Sequence, residues 1–154
     1  MGKLCWFLVV TLLAVSGVLV TKFVIVGNTV QGTDNRIAIV VQPAERNLVL
    51  TEMRAFLVSV QAVMNAALAG DMSAVAKAAR KSGVPSQDQV PSSLVGKLPL
   101  SFKTMGFDTH RAFDQLALDA EQLGDPEHSL QQLGNLMNNC IACHQAYRLV
   151  DHVE

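Results

Sequence analysis

The sequence predicts an all-α protein, an antiparallel four-helix bundle preceded by an N-terminal transmembrane anchor. Three observations lead there. An uncharged apolar run fills the N-terminus from Leu4 to Thr21. Four later stretches repeat apolar residues at helical spacing between capping and stop residues. The last of these stretches carries Cys140-Ile141-Ala142-Cys143-His144, a pentapeptide that suits one face of a helix. With 154 residues the chain has room for one domain and an accessory segment. The expected division is an anchor at 1–26, a linker at 27–43 and the helical domain at 44–154.

After Lys3, no charge interrupts the run until Lys22, and apolar character resumes with Phe23-Val24-Ile25-Val26. This is long enough to span a bilayer. A cleavable signal peptide competes, because Ala14-Val15-Ser16 resembles a small-x-small cleavage site. Cleavage there would leave Gly17-Val18-Leu19-Val20 exposed at the new terminus, which favours a retained anchor. Lys3 ahead of the run favours a cytoplasmic N-terminus and an exported globular part. Trp6 suits an interfacial belt.

Only Lys3 and Lys22 of the 12 basic residues precede Gly27, so the remainder is mildly acidic against 13 Asp+Glu. No basic stripe interleaved with aromatics occurs, which argues against nucleic acid as a partner. Aromatics are scarce at 5%. A core so poor in large rings gains from a bulky apolar cofactor that fills volume.

Residues 27–43 read as an ordered linker around Gly27-Asn28 and Gly32-Thr33-Asp34-Asn35. The β-branched run Ile37-Ala38-Ile39-Val40-Val41 offers the alternative of a short extended segment on the bundle. Pro43 opens the first helix of the domain, with Glu45 complementing its dipole. Val49, Met53, Phe56, Val60, Val63 and Ala67 form its apolar face, and Gly70 stops it. Asp71 caps a shorter helix from Met72 to about Lys81. Pro85, Pro91, Gly96, Pro99 and Gly106 make 83–106 a long connection with one helical turn near Leu94. Asp108 or Thr109 is the expected cap of the third helix, whose stripe is Phe113, Leu116, Ala117, Ala120 and Leu123. Gly124-Asp125-Pro126 ends it and starts the fourth, with Leu130, Leu133, Met137, Cys140, His144 and Tyr147 on one face, running to about Val150.

Within that fourth helix, C-x-x-C-H is the signature of covalent c-type haem attachment. Each thiol can add to a porphyrin vinyl group, and the adjacent imidazole can bind the iron. On a helix the three residues fall within a sector about 100° wide, so a planar cofactor can lie against one face. Other readings are weaker. A structural zinc site takes four ligands. With Cys5 inside the apolar run, the fourth would have to be His110, His128 or His152. A thioredoxin-like dithiol belongs at a helix start within a βαβ pattern, which does not surround Cys140. A disulfide between positions three apart on a helix is geometrically awkward.

In an up-down-up-down bundle the start of the first helix lies level with the end of the fourth. Met53 is then about 14 Å along its helix, and His144 and Cys140 lie about 9 and 15 Å from the fourth helix's end. Met64 lies too far along. A Met thioether opposite His144 makes a six-coordinate iron suited to electron transfer. Core packing is the competing role for Met53. His110 is the main rival as distal ligand, Met105 a weaker one, and a surface or supporting role also fits His110. His128 and His152 read as solvated.

The pentapeptide near the end of the last helix, followed by Tyr147-Arg148, and Glu52-Met53-Arg54 in the first helix resemble the class II c-type cytochromes. These are the cytochrome c-prime family and its low-spin relatives. The resemblance covers about residues 44–150. It implies one haem c per chain, with thioether bonds to Cys140 and Cys143, His144 as proximal ligand and, in the low-spin branch, Met53 on the distal side. It also implies that Arg148 lies near the haem, although a surface charge is its simpler role, while Tyr147 packs. It further implies self-association into a homodimer and redox proteins as partners. The expectation is therefore a non-enzymatic electron carrier, tethered to the bacterial inner membrane with its domain in the periplasm, or soluble there after signal cleavage. If Met53 only packs, the alternative is a five-coordinate protein binding nitric oxide or carbon monoxide. A zinc or dithiol module without haem is the third reading.

Overall fold

The computed structural model describes residues 2–87 and 90–151. The chain is mostly helical and begins with an apolar helix. Helix α1 (Gly2–Val20) passes into a π-helical segment over Thr21–Val26. The stretch Gly2–Val26 has no buried residue, and is long and apolar enough to cross a membrane or to serve as a signal sequence. It ends at Gly27, whose φ of +70° and close approach to the backbone of Lys97, Leu98 and Pro99 leave no room for a Cβ.

The segment expected as a linker contains two strands. Strands β1 (Thr29–Gln31) and β2 (Ile37–Val40) form an antiparallel hairpin with Thr29 opposite Ile39. The turn between them uses Asn35 at φ 66°, a left-handed conformation that asparagine tolerates. Ala38 and Ile39 are buried, so this segment belongs to the core.

Helix α2 (Pro43–Leu68) starts at Pro43 as expected. The Gln42 N–H donates to Glu45 Oε2 at 2.9 Å, and Val49, Val63 and Ala67 are buried along the apolar face. Helix α3 (Met72–Arg80) is capped by Asp71, whose carboxylate accepts from the Ala74 N–H. A 3-10 turn (Val84–Gln87) and the short helix α4 (Ser92–Val95) follow.

Helix α5 (Leu100–Leu123) begins well before the Asp108 or Thr109 cap that the sequence suggests. Pro99 stands at its N-cap in an extended conformation, and Gly106 lies inside the helix. A glycine there costs about 1 kcal/mol relative to alanine, which packing of Phe102 and Met105 just before it can offset. Phe113, Leu116, Ala117 and Ala120 are buried as expected, but Leu123 is exposed beside the left-handed Gly124. Helix α6 (Pro126–Ala146) is capped by Asp125, which accepts from the Glu127 and His128 N–H groups.

Helix α6 stops at Ala146 instead of running on to Val150. Strand β3 (Tyr147–Val150) pairs parallel with β2, Ile37 opposite Tyr147 and Val40 opposite Val150. The sheet order is β1-β2-β3. A helix would have left the edge of β2 away from β1 unpaired, whereas the strand satisfies both backbones.

Helix α2 packs on α3 and α6, and α5 packs on the same two, so the four long or medium helices form a ring. Its main core joins Val63, Val75, Ala79, Phe113, Leu116, Leu133 and Leu136, with Phe56 stacked on Phe113 at 5.6 Å. A second cluster joins Ile39, Val41, Val49, Leu94, Leu98 and Tyr147. Met53, Met105 and Cys143 pack against this second cluster, which carries the sheet into the site.

Candidate functional site: a cavity between α2, α5 and α6

One cavity of about 810 Å³ gathers most of the residues singled out from the sequence. Helix α6 contributes Cys140, Cys143 and His144 to its wall, and α2 contributes Met53. The long α2 places Met53 one turn past Val49, whose burial aims that stripe inward. His110 and Met105 from α5 also line it. The lining is otherwise dominated by apolar side chains such as Val60, Leu94, Leu98 and Phe102. A space of this size and character suits a large, flat, apolar ligand.

The two thiols are free and half-buried. Burial raises the Cys140 pKa, and burial together with the neighbouring Cys140 pushes Cys143 up to about 11. Both are therefore thiols at neutral pH, which does not match the acidic, exposed thiolate of a redox dithiol. Among the described residues, no group of three or more His, Cys, Asp or Glu side chains is placed to hold a metal ion. A multi-ligand zinc cage is thus not assembled by these side chains.

His144 sits at the exposed end of this wall, close to where α6 ends. Its carbonyl accepts from Arg36 Nη1 at 3.3 Å. Arg36 is itself held by Asp34, with Nε at 2.8 Å and Nη2 at 2.6 Å from Oδ2. Asp34 also faces Arg148 Nη1 at 3.5 Å. The hydrogen bonds from Arg36 hold the Asp34 carboxyl at a pKa of about 2. The hairpin turn thereby clasps the C-terminal end of α6, where a cation is favourable to the last carbonyls. Arg148 lies on β3 in this clasp and is not part of the cavity wall.

His110 is not on the surface. It is 1% exposed and tilted against Phe56 at 4.9 Å. Its Nδ1 lies 2.8 Å from the Ser82 carbonyl and its Nε2 lies 3.2 Å from Glu52 Oε1. Burial pulls its pKa down, but the bonds to Glu52 and Ser82 outweigh that and raise it overall. With both ring nitrogens engaged, His110 has no free lone pair for a metal. Met53 has no such commitment and sits among apolar neighbours. His128 faces Asp119 at 3.5 Å and is only partly exposed, while His152 lies outside the described residues.

Tyr147 is buried, stacks edge-on against Phe102 at 5.5 Å and hydrogen-bonds Ser101. It packs, as expected. Sequence reasoning missed Arg36 and Lys103. Arg36 lay in a presumed linker, and Lys103 lay in a presumed loop but lines the cavity on α5. The Arg54 side chain, bonded to Thr51 Oγ1 at 2.8 Å, adds a second cation to the wall. Comparison with family models, curated proteins and solved structures returns no match.

Proposed function

We propose that this chain is a membrane-tethered c-type cytochrome that relays single electrons, built as an antiparallel four-helix bundle around one covalently held haem c. The observation that carries this reading is the shared cavity: Cys140, Cys143 and His144 on the α6 wall and Met53 on the α2 wall. The residues fit the group. Cys140 and Cys143 would hold it through thioethers, each S–H adding across one vinyl group with sulfur on one carbon and hydrogen on the other, which needs no external oxidant. His144, through its imidazole, and Met53, through its thioether, are the residues that would hold its iron. A haem bound there supplies a ferric/ferrous one-electron couple, and Met/His ligation raises its potential.

The chain's own residues do the rest. The apolar wall would keep water from the Met53 side of the cavity, while His144 stands at its exposed end. Arg54 and Lys103 line the wall as cations and would balance the charge of the haem's carboxylates. Arg36 holds the end of α6 so that His144 keeps its place. The titratable pair in the wall, His110 and Glu52, is committed to its own hydrogen bonds, and the role read here is relay and not catalysis. Helix α1, if retained, holds the domain on the periplasmic face of a bacterial inner membrane, where partners would be other redox proteins.

An optical experiment tests the reading. The purified full chain is recorded oxidised and reduced, with and without carbon monoxide. A low-spin haem spectrum that carbon monoxide does not move, turned high-spin by Met53→Ala, supports it. A spectrum that carbon monoxide shifts in the unaltered protein indicates an open distal face and a gas-binding role instead. Absence of a covalent haem spectrum defeats both.

A further inference from the structure

The connection between the apolar N-terminal segment and the domain is not a flexible tether. Asn28 N–H donates to the Lys97 carbonyl at 2.7 Å, and its side-chain amide donates to the Val40 carbonyl at 2.9 Å. Gly27 lies against the Lys97–Pro99 backbone, and the Thr21–Val26 segment itself contacts α5. The Phe23 ring lies 3.9 Å from where a Cβ on Gly96 would stand. In a spanning α1, Lys22 and Phe23 mark the headgroup level, where a cation and an aromatic ring are favoured. The turn after α4 and the start of α5 are therefore held at that same level.

The surface there is built for such a place. Val95 is 42% exposed, Leu100 46% and Phe107 46%. Leu100, Lys103 and Phe107 follow one another at i, i+3 and i+7 along one stripe of α5. Val95, Lys103 and Phe107 also line the cavity, so this stripe is one of its lips. Its cations are Lys22 and Lys103, with Lys97 paired to Glu45 at 2.6 Å. The nearest acid on the stripe, Asp108, lies 3.9 Å from Arg111. Apolar side chains flanked by lysines are what an anionic lipid interface attracts.

We propose that the α4–α5 lip, with Val95, Leu100, Lys103 and Phe107, docks on the headgroup layer of the bilayer that α1 spans. This rests on the anchor in the function proposed above, and not on haem. One edge of the cavity then lies at the membrane surface, within reach of a redox partner confined to that membrane.

The test uses the full chain carrying Cys5→Ser, reconstituted in phosphatidylcholine–phosphatidylglycerol vesicles. Spin labels are placed singly by Val95→Cys, Leu100→Cys, Leu12→Cys and Lys77→Cys, the Cys5→Ser parent setting the background. Collision with oxygen is compared with collision with a water-soluble nickel chelate. Labels at 95 and 100 should show a several-fold lower nickel-to-oxygen ratio than the label at 77 on α3. If they match position 77 while position 12 remains shielded, the anchor stands and docking is overturned. A water-exposed label at 12, or loss of α1 from the purified protein, overturns both.

Discussion

Replacing Ile39 with alanine distinguishes a strand that belongs to the core from a linker that merely passes it. Ile39 is 0% exposed and packs with Val41, Val49, Leu94, Leu98 and Tyr147. Truncation removes three buried carbons, about 2.4 kcal/mol at roughly 0.8 kcal/mol each. The cavity left beside Tyr147 adds to this, giving a cost of about 3–4 kcal/mol within the usual range for such truncations. In a domain of this size that lowers Tm by about 10–15 °C. The control is Ile37→Ala on the same strand, where the side chain is 37% exposed and the loss should be below about 1 kcal/mol. Far-ultraviolet circular dichroism of the full chain in detergent, with all variants in the same haem-loading state, reads both midpoints. Equal midpoints for Ile39→Ala and Ile37→Ala would refute the placement of β2 in the core.

Two further outcomes follow from the same region. Gly27→Ala forces a Cβ into the Lys97–Pro99 backbone at a positive φ. It should cost about 1–3 kcal/mol and speed proteolysis after residue 26, and an unchanged cleavage rate would contradict the rigid junction. Asp34→Asn removes the acceptor of the Arg36 clasp. Because the folded pKa of Asp34 lies near 2, below the ordinary value of about 3.9, its stabilising contribution is present above about pH 4 and is lost as pH falls toward 2. The wild-type midpoint should therefore exceed that of Asp34→Asn by a few degrees at most near pH 6, and the two should converge near pH 2. A gap that widens on acidification would invert the assigned sign.

The helices were legible because their signals are local. Pro43, Asp71 and Asp125 each act on the residues beside them, and all three start the helix they announce. Proline and glycine misled between 83 and 106. Pro99 is compatible with a helix start, and Gly106 with a helix interior, yet clustered with Pro85, Pro91 and Gly96 they read as loop. The strand at Tyr147–Val150 was illegible for a different reason. Its conformation depends on Ile37–Val40, adjacent in the sheet but far away in sequence, and no sequence neighbour of Tyr147 carries that information.

The same division runs through the candidate site. Cys140, Cys143 and His144 are adjacent in sequence, so their chemistry can be read as a motif. The residue facing them cannot, because it depends on how far α2 runs and which face it turns inward. Counting helical rise from Pro43 put Met53 level with Cys140 and His144, and all three line one cavity even though α6 ends earlier than assumed. That estimate tolerated the error because the cavity spans more than one helical turn, lined by α2 from Leu48 to Val60 and by α6 from Met137 to His144. What distinguishes Met53 from the other side chains along that span is chemistry as much as position. Among the candidates, His110 already has both nitrogens committed to Ser82 and Glu52, which leaves the thioethers of Met53 and Met105 as uncommitted soft donors in the wall. Met53 and Met105 stand on α2 and α5, both of which pack on α6, so the choice between the two thioethers falls to the Met53→Ala spectrum.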